Sequence, residues 1–89
     1  MYELPLPVKK DKFGGSVANY DEREWFLKLQ EELYEAFSTV SIQERAEELT
    51  DVITVCTSYL HALGFDHNAR AELQRAVNEK NIKRGYFKE

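Results

Sequence analysis

The chain is poor in cysteine and proline and contains no long apolar run, and each absence removes a class of protein. Cys56 is the only cysteine among 89 residues, so no disulfide can form within one chain and a cysteine-rich metal or redox site is ruled out. Pro5 and Pro7 are the only prolines, so nothing after them breaks a helix by ring geometry. No stretch reaches the roughly 20 apolar residues that a bilayer-spanning helix requires, and no secretory leader pattern opens the chain. No membrane association is therefore expected, and the cytoplasm is the expected compartment. The pair Gly14-Gly15 lacks the following GK[ST] of a phosphate-binding loop. No segment alternates apolar and polar residues for a useful length, and there is no internal repeat or low-complexity tract, so a sheet is not expected. Excess positive charge is lacking too: the net charge of -4 argues against a nucleic-acid polymer as partner.

What is present reads as one small globular domain, with 43% apolar and 31% charged residues. A core built from so short a chain is modest, and such chains commonly gain stability from a metal or a partner subunit. Cys56 falls on an apolar stripe without a histidine at motif spacing, which points to a packed thiol. His61 and His67 are not spaced with acids as a metal motif, so surface roles are expected for both.

Residues 1–19 hold both prolines, the run Lys9-Lys10-Asp11-Lys12 and the two adjacent glycines. They read as an extended arm that Leu4, Leu6, Val8 and Phe13 dock on the remainder, residues 20–89. Three helices follow. The first is expected from Tyr20 to Ser38, with Asn19 or Asp21 as its N-cap and Glu22 and Glu24 near its positive end. The second opens on Ser41 and Glu44, spaced as a capping box, and runs to Leu63 with Gly64 as its stop. Asp66 caps the third, from His67 to Lys83, and Gly85 ends it. The fold class is all-α: a helical hairpin plus a third helix, assembling into an oligomeric helix bundle. The stripes Phe26, Leu29, Leu33, Phe37, Val40 and Ile42, Ala46, Leu49, Val52, Ile53, Cys56, Leu60, Leu63 are expected to face inward. Together with Trp25, Tyr34 and Tyr59 they offer more apolar surface than one hairpin and a third helix can cover, which points to a homo-oligomer.

Two acidic clusters bracket the turn near Thr39 to Ser41. Glu31, Glu32 and Glu35 precede it, and Glu48 and Asp51 follow it. Residues three or four apart share one helix face, so Glu32/Glu35 and Glu48/Asp51 each hold two like charges together. An antiparallel hairpin brings the two pairs toward one hard cation, and carboxylate oxygens suit Mg²⁺ or Mn²⁺. On the third helix Lys80 and Arg84 continue the stripe of Leu73, Ala76 and Val77, where another leucine would be expected. They either carry positive charge toward the acidic groove, for phosphate or for the acids themselves, or snorkel near a helix C-terminus.

Glu31-Glu32-Leu33-Tyr34-Glu35 matches an EExxE motif, and Glu48-Leu49-Thr50-Asp51 matches ExxD after twelve intervening residues. The pair of motifs resembles that of the MazG-like, all-α nucleoside triphosphate pyrophosphohydrolases, and the segment from Asn78 to Phe87 is similar to the basic closing segment often found there. The resemblance spans about Phe26 to Phe87. It implies that Glu32, Glu35, Glu48 and Asp51 bind Mg²⁺, that Glu31 assists them or positions water, and that Lys80 and Arg84 contact phosphates of a nucleotide substrate. It also implies a homodimer or homotetramer in which two subunits build each site. The arm stands where relatives commonly have a further helix, so the source of the nucleobase pocket is open. The chemistry suits the residues: cleavage between the α- and β-phosphates needs neutralised phosphate oxygens, an aligned water and a carboxylate to take its proton. Related all-α enzymes acting on phosphoribosyl-ATP or dUTP share the architecture, and a non-catalytic helical interaction module would need only the apolar stripes.

Overall fold

The computed structural model describes residues 5–11 and 13–88. It is all-α, with α1 at Glu22–Phe37, α2 at Ile42–Ala62 and α3 at His67–Lys83, preceded by a short 3-10 turn at Val17–Asn19. Each start is written locally. The Asp21 carboxylate accepts from the Glu24 amide at 2.9 Å, the Ser41 hydroxyl from the Glu44 amide at 3.0 Å, and the Asp66 carboxylate from the Ala69 amide at 2.9 Å. Each satisfies an amide that the first helical turn leaves without a partner. The ends of α2 and α3 are equally local. Gly64 and Gly85 sit at φ 99° and 77°, and the next amides, of Phe65 and Tyr86, reach back to the carbonyls of Leu60 and Asn81 at 3.0 Å. This is the glycine-terminated closure that a residue with a Cβ adopts only under strain.

The end of α1 has no glycine. Ser38 stays in the right-handed region, its hydroxyl donates to the Tyr34 carbonyl at 2.8 Å, and the Thr39 hydroxyl donates to the Ala36 carbonyl at 3.1 Å. The Arg45 guanidinium reaches forward from α2 to the Thr39 carbonyl at 3.3 Å. These bonds hold a tight reversal at residues 38–41, and α1 and α2 then pack side by side. Theirs is the one extensive helix-to-helix contact among the described residues.

The buried seam of this hairpin is displaced from the expected stripes. On α1 the buried apolar residues are Trp25, only 2% exposed, and Ala36, with Leu29 half-buried between them. Phe26, Leu33 and Phe37 face solvent, Phe37 at 90%. On α2 the seam runs through Val55 and Ser58, flanked by half-buried Glu48, Val52 and Tyr59, while Ile42, Leu49, Ile53 and Leu63 are exposed. The steps 25, 29, 32, 36 on α1 and 48, 52, 55, 59 on α2 are helical repeats. Glu32 and Glu48 therefore occupy the seam itself. Cys56 is likewise exposed, in an apolar groove with Leu29, Tyr59, Leu60 and Leu63, so the expected packed thiol is not found within one chain.

The arm docks in part as expected. Val17 joins Trp25 and Val55 in the core, and Val8, Tyr20, Leu29 and Tyr59 pack against them. Trp25 lies edge-on to Tyr20, with centroids 5.1 Å apart, and stacks on Tyr59 at 6.1 Å. The Val8 amide donates to the buried Ser58 hydroxyl at 3.0 Å, which itself donates to the Thr54 carbonyl at 2.7 Å. Leu6 and Phe13 are exposed, and Leu4 lies outside the described residues. Between Lys9 and Val17 the arm folds back on itself. The Asp11 carboxylate accepts from the amides of Phe13 and Gly15, both at 2.9 Å, and from the Tyr20 hydroxyl at 3.1 Å.

No residue of α3 is buried. Leu73, Val77 and Ile82 are exposed, and so are Lys80 and Arg84. Those two cations were expected to face inward, but within one chain their end of α3 has no surface to face. Arg84 instead lies 5.9 Å from the Tyr86 ring centroid. The radius of gyration is 14.9 Å, against roughly 12 Å for a compact chain of this length. The accessible surface of 7505 Å² exceeds by about 2,000 Å² what a folded monomer of 10.4 kDa exposes.

A candidate metal centre in the helical seam

Glu32 reaches the seam from α1, Glu48 and Asp51 from the facing turn of α2. One carboxylate oxygen from each lies within 4.8 Å of the others. A carboxylate packed between two helices loses water, and Oε2 of Glu32 and Oε2 of Glu48 are buried without any hydrogen-bond partner. Such atoms are costly unless something positive meets them. Both carboxyls are accordingly pushed above the ordinary value of 4.5. For Glu32 the cause is first burial and then the charges of Glu35, Asp51 and Glu48, with Lys28 opposing. For Glu48 it is again burial first, then Asp51, Glu35 and Glu47.

Three of the four acids expected to act as ligands, Glu32, Glu48 and Asp51, thus come together, while Glu35 is outside that group and acts on Glu32 and Glu48 through its charge. The donor set is all oxygen and multiply anionic, which fits a hard divalent cation such as Mg²⁺ or Mn²⁺ and not a softer metal. The two orphaned buried oxygens are positions that a cation would satisfy. Glu31 is not in this group. It lies one step round α1 and lines an adjoining cavity of about 220 Å³ with Asp11, Phe13, Tyr20, Glu24, Leu27 and Lys28. Lys80 and Arg84 are not brought to the site by their own chain.

Lys28 belongs to the site's surroundings and was not singled out by sequence reasoning. Its charge is felt by both Glu32 and Asp11, which places it between the seam and the adjoining cavity. The signal was available, because Lys28 stands one turn before Glu32 at the i, i+4 spacing that pairs opposite charges. On the other flank an apolar groove of about 470 Å³ opens between Leu33, Ala36, Phe37, Arg45 and Leu49. Comparison with protein-family models, with curated proteins and with solved structures finds no match to this chain.

Proposed function

We propose that the chain is a Mg²⁺-dependent nucleotide pyrophosphohydrolase of the MazG-like kind, converting a nucleoside triphosphate and water to the monophosphate and pyrophosphate. One observation carries the reading: acids from two helices meet in a seam where apolar residues belong, and two of them keep a buried oxygen without a partner. Packing alone gives no reason for that arrangement. Glu32, Glu48 and Asp51 would hold the ion, with Glu35 as the fourth carboxylate. Bound there, Mg²⁺ or Mn²⁺ would supply positive charge against the phosphate oxygens and acidify water.

The chain's own groups do the remainder. Glu35, close enough for its charge to act on both Glu32 and Glu48 but outside the three-acid group, is the carboxylate suited to take a proton from the attacking water, whereas Glu31 lines the neighbouring cavity. Lys28 stands at the mouth of the seam as a nearby cation. Lys80 and Arg84 serve the leaving pyrophosphate only if a second copy delivers them. A cytoplasmic homodimer or homotetramer does so and covers the exposed faces of α1, α2 and α3 at the same time.

A screen of nucleoside triphosphates with Mg²⁺, resolving pyrophosphate from orthophosphate, tests the reading. Monophosphate and pyrophosphate should appear with the wild-type chain and vanish in Glu48→Gln. Release of orthophosphate with a diphosphate would overturn the reaction assignment. The exposed apolar residues also favour a helical interaction module. Absence of turnover on every nucleotide, phosphoribosyl-ATP and dUTP included, would leave that reading in possession.

A further inference from the structure

The seam rows of α1 and α2 are each followed, one residue on, by exposed apolar side chains. Phe26, Leu33 and Phe37 follow Trp25, Glu32 and Ala36, and Leu49 and Ile53 follow Glu48 and Val52, with Ile42 seven residues before Leu49. These six are between 47% and 90% exposed. One residue is about 100° of helix, and because α1 and α2 run antiparallel, a forward step on either swings toward the same flank of the hairpin. The groove between Leu33, Phe37 and Leu49 opens on that flank. Cys56 and Leu60, one step past Val55 and Tyr59, extend it into a second groove of about 270 Å³. Glu35 and Asp51 stand three residues after Glu32 and Glu48. Three steps are about 300°, or about 60° the other way, so the acids open on the opposite flank.

Both rows share one spacing, seven residues and then four, at 26, 33, 37 and at 42, 49, 53. That is the d, d, a pattern of a helix whose side chains insert between those of a partner helix. Two such rows side by side call for two partner rows of the same period, and an identical hairpin presents them by symmetry. Charge, which interface cores exclude, is scarce here: Arg45 in the first groove is turned to the Thr39 carbonyl, and the described lining of the second is uncharged. The size agrees. Each chain exposes about 2,000 Å² more than a folded monomer of its mass, and roughly 4,000 Å² over a pair is on the scale of obligate interfaces.

We infer that this flank is where a second copy of the chain docks, hairpin against hairpin, with the acids of each copy facing away from the joint. The inference deepens the proposed assembly by naming the face that joins the copies, and depends on neither metal nor nucleotide. A copy seated here leaves the mouth of the acids clear, so Lys80 and Arg84 would reach it from a further pair, as in a tetramer.

Cys56 is the only cysteine and lies exposed on this flank, so its alkylation reads whether the flank is covered. In the wild-type chain, N-ethylmaleimide should modify Cys56 roughly tenfold more slowly at a hundredfold excess over the dimer Kd than after dilution below it, in step with the dimer seen by sedimentation. Phe37→Gln and Leu49→Gln should each raise the dissociation constant by roughly 1,000-fold, the effect of one hot-spot residue lost from both copies, and bring alkylation to the diluted chain's rate. Both positions are exposed in the single chain, so the helical circular dichroism spectrum should be unchanged. Val77→Gln, on α3, should alter neither reading. A stable monomer at micromolar concentration, a dimer whose Cys56 reacts as fast as in the diluted chain, or groove variants that dimerise as the wild type does would each overturn the inference. A dimer that protects Cys56 without any nucleotide turnover would leave it standing and count against the enzymatic reading; turnover by a chain whose Cys56 is never protected would do the reverse.

Discussion

Replacing Glu32 with Gln keeps the shape of the side chain and removes one charge from the crowded seam. Two unit charges 4.8 Å apart repel by about 1 kcal/mol at the dielectric of water, and by roughly 3.5 kcal/mol at an effective dielectric of 20. Glu32 is only half-buried, so the lower figure governs, and the relief on neutralising it is on the order of 1 kcal/mol after screening. The new amide can also donate to a neighbouring carboxylate oxygen. For a domain of this length 1 kcal/mol moves the melting temperature by roughly 4–8 °C, so the metal-free variant should melt a few degrees above the wild type. With Mg²⁺ the order should reverse. A cation at a hundredfold excess over its Kd stabilises the wild-type fold by about 2.7 kcal/mol, or on the order of 10–20 °C, and the variant should lose most of that gain. Thermal melts by circular dichroism in Mg²⁺ and in NaCl of matched ionic strength separate site binding from screening. Equal shifts in the two salts would refute the metal centre. A metal-free variant melting well below the wild type would refute the account of why the acids repel.

Three further outcomes are expected. Trp25→Ala empties the centre of the small core and removes two ring contacts, so it should cost about 3–5 kcal/mol, read from urea unfolding by circular dichroism; a loss under about 1 kcal/mol would show that Trp25 does not organise the hairpin. Glu32 and Glu48 have folded pKa values raised above their ordinary 4.5, so the folded state binds more protons than the unfolded one in that window. Metal-free stability should rise as pH falls through the raised values and Mg²⁺ affinity should fall, while Asp11, whose pKa is lowered, should cost stability only below its ordinary 3.8; a metal-free melting temperature that drops steadily between neutrality and pH 4.5 would contradict this. Sedimentation at micromolar concentration should find a dimer or tetramer, since about 2,000 Å² of surplus surface on each chain, roughly 4,000 Å² over a pair, is on the scale of obligate interfaces, and a stable monomer would refute assembly.

The helix boundaries were legible because their causes are local. Asp21, Ser41 and Asp66 each cap an amide three residues on, and Gly64 and Gly85 close helices through a conformation that depends on one residue each. The convergence of Glu32, Glu48 and Asp51 was legible for a related reason: helical spacing sets which residues share a turn, and a four-residue reversal fixes which turns face each other. What was not legible is the face on which α1 and α2 meet. Hydropathy ranks Phe26, Leu33 and Phe37 as inward, yet a two-helix seam takes one row from each helix, and the row of Trp25, Leu29 and Ala36 won. That row carries Glu32, which a hydropathy pattern assigns to the surface. The inward reading of Lys80 and Arg84 failed similarly, because periodicity describes one helix and is silent on whether another stands opposite.

The displacement of the seam has a consequence for how the molecule works. A hairpin that packed on its most apolar stripes would bury Phe26, Leu33, Ile53 and Leu63 against itself, place its acids in water and leave little to bind a second copy. Packing one row over reverses each of those outcomes. The acids are trapped between the helices, where only a cation or protons relieve them, and the apolar stripes point outward on both sides of the site. The proposed metal binding and the proposed assembly would then both depend on one pair of helices, since the acids and the outward stripes lie on α1 and α2 alike. Under the proposed function, a cation in the seam would steady the outward stripes, and a second copy covering those stripes would steady the carboxylates.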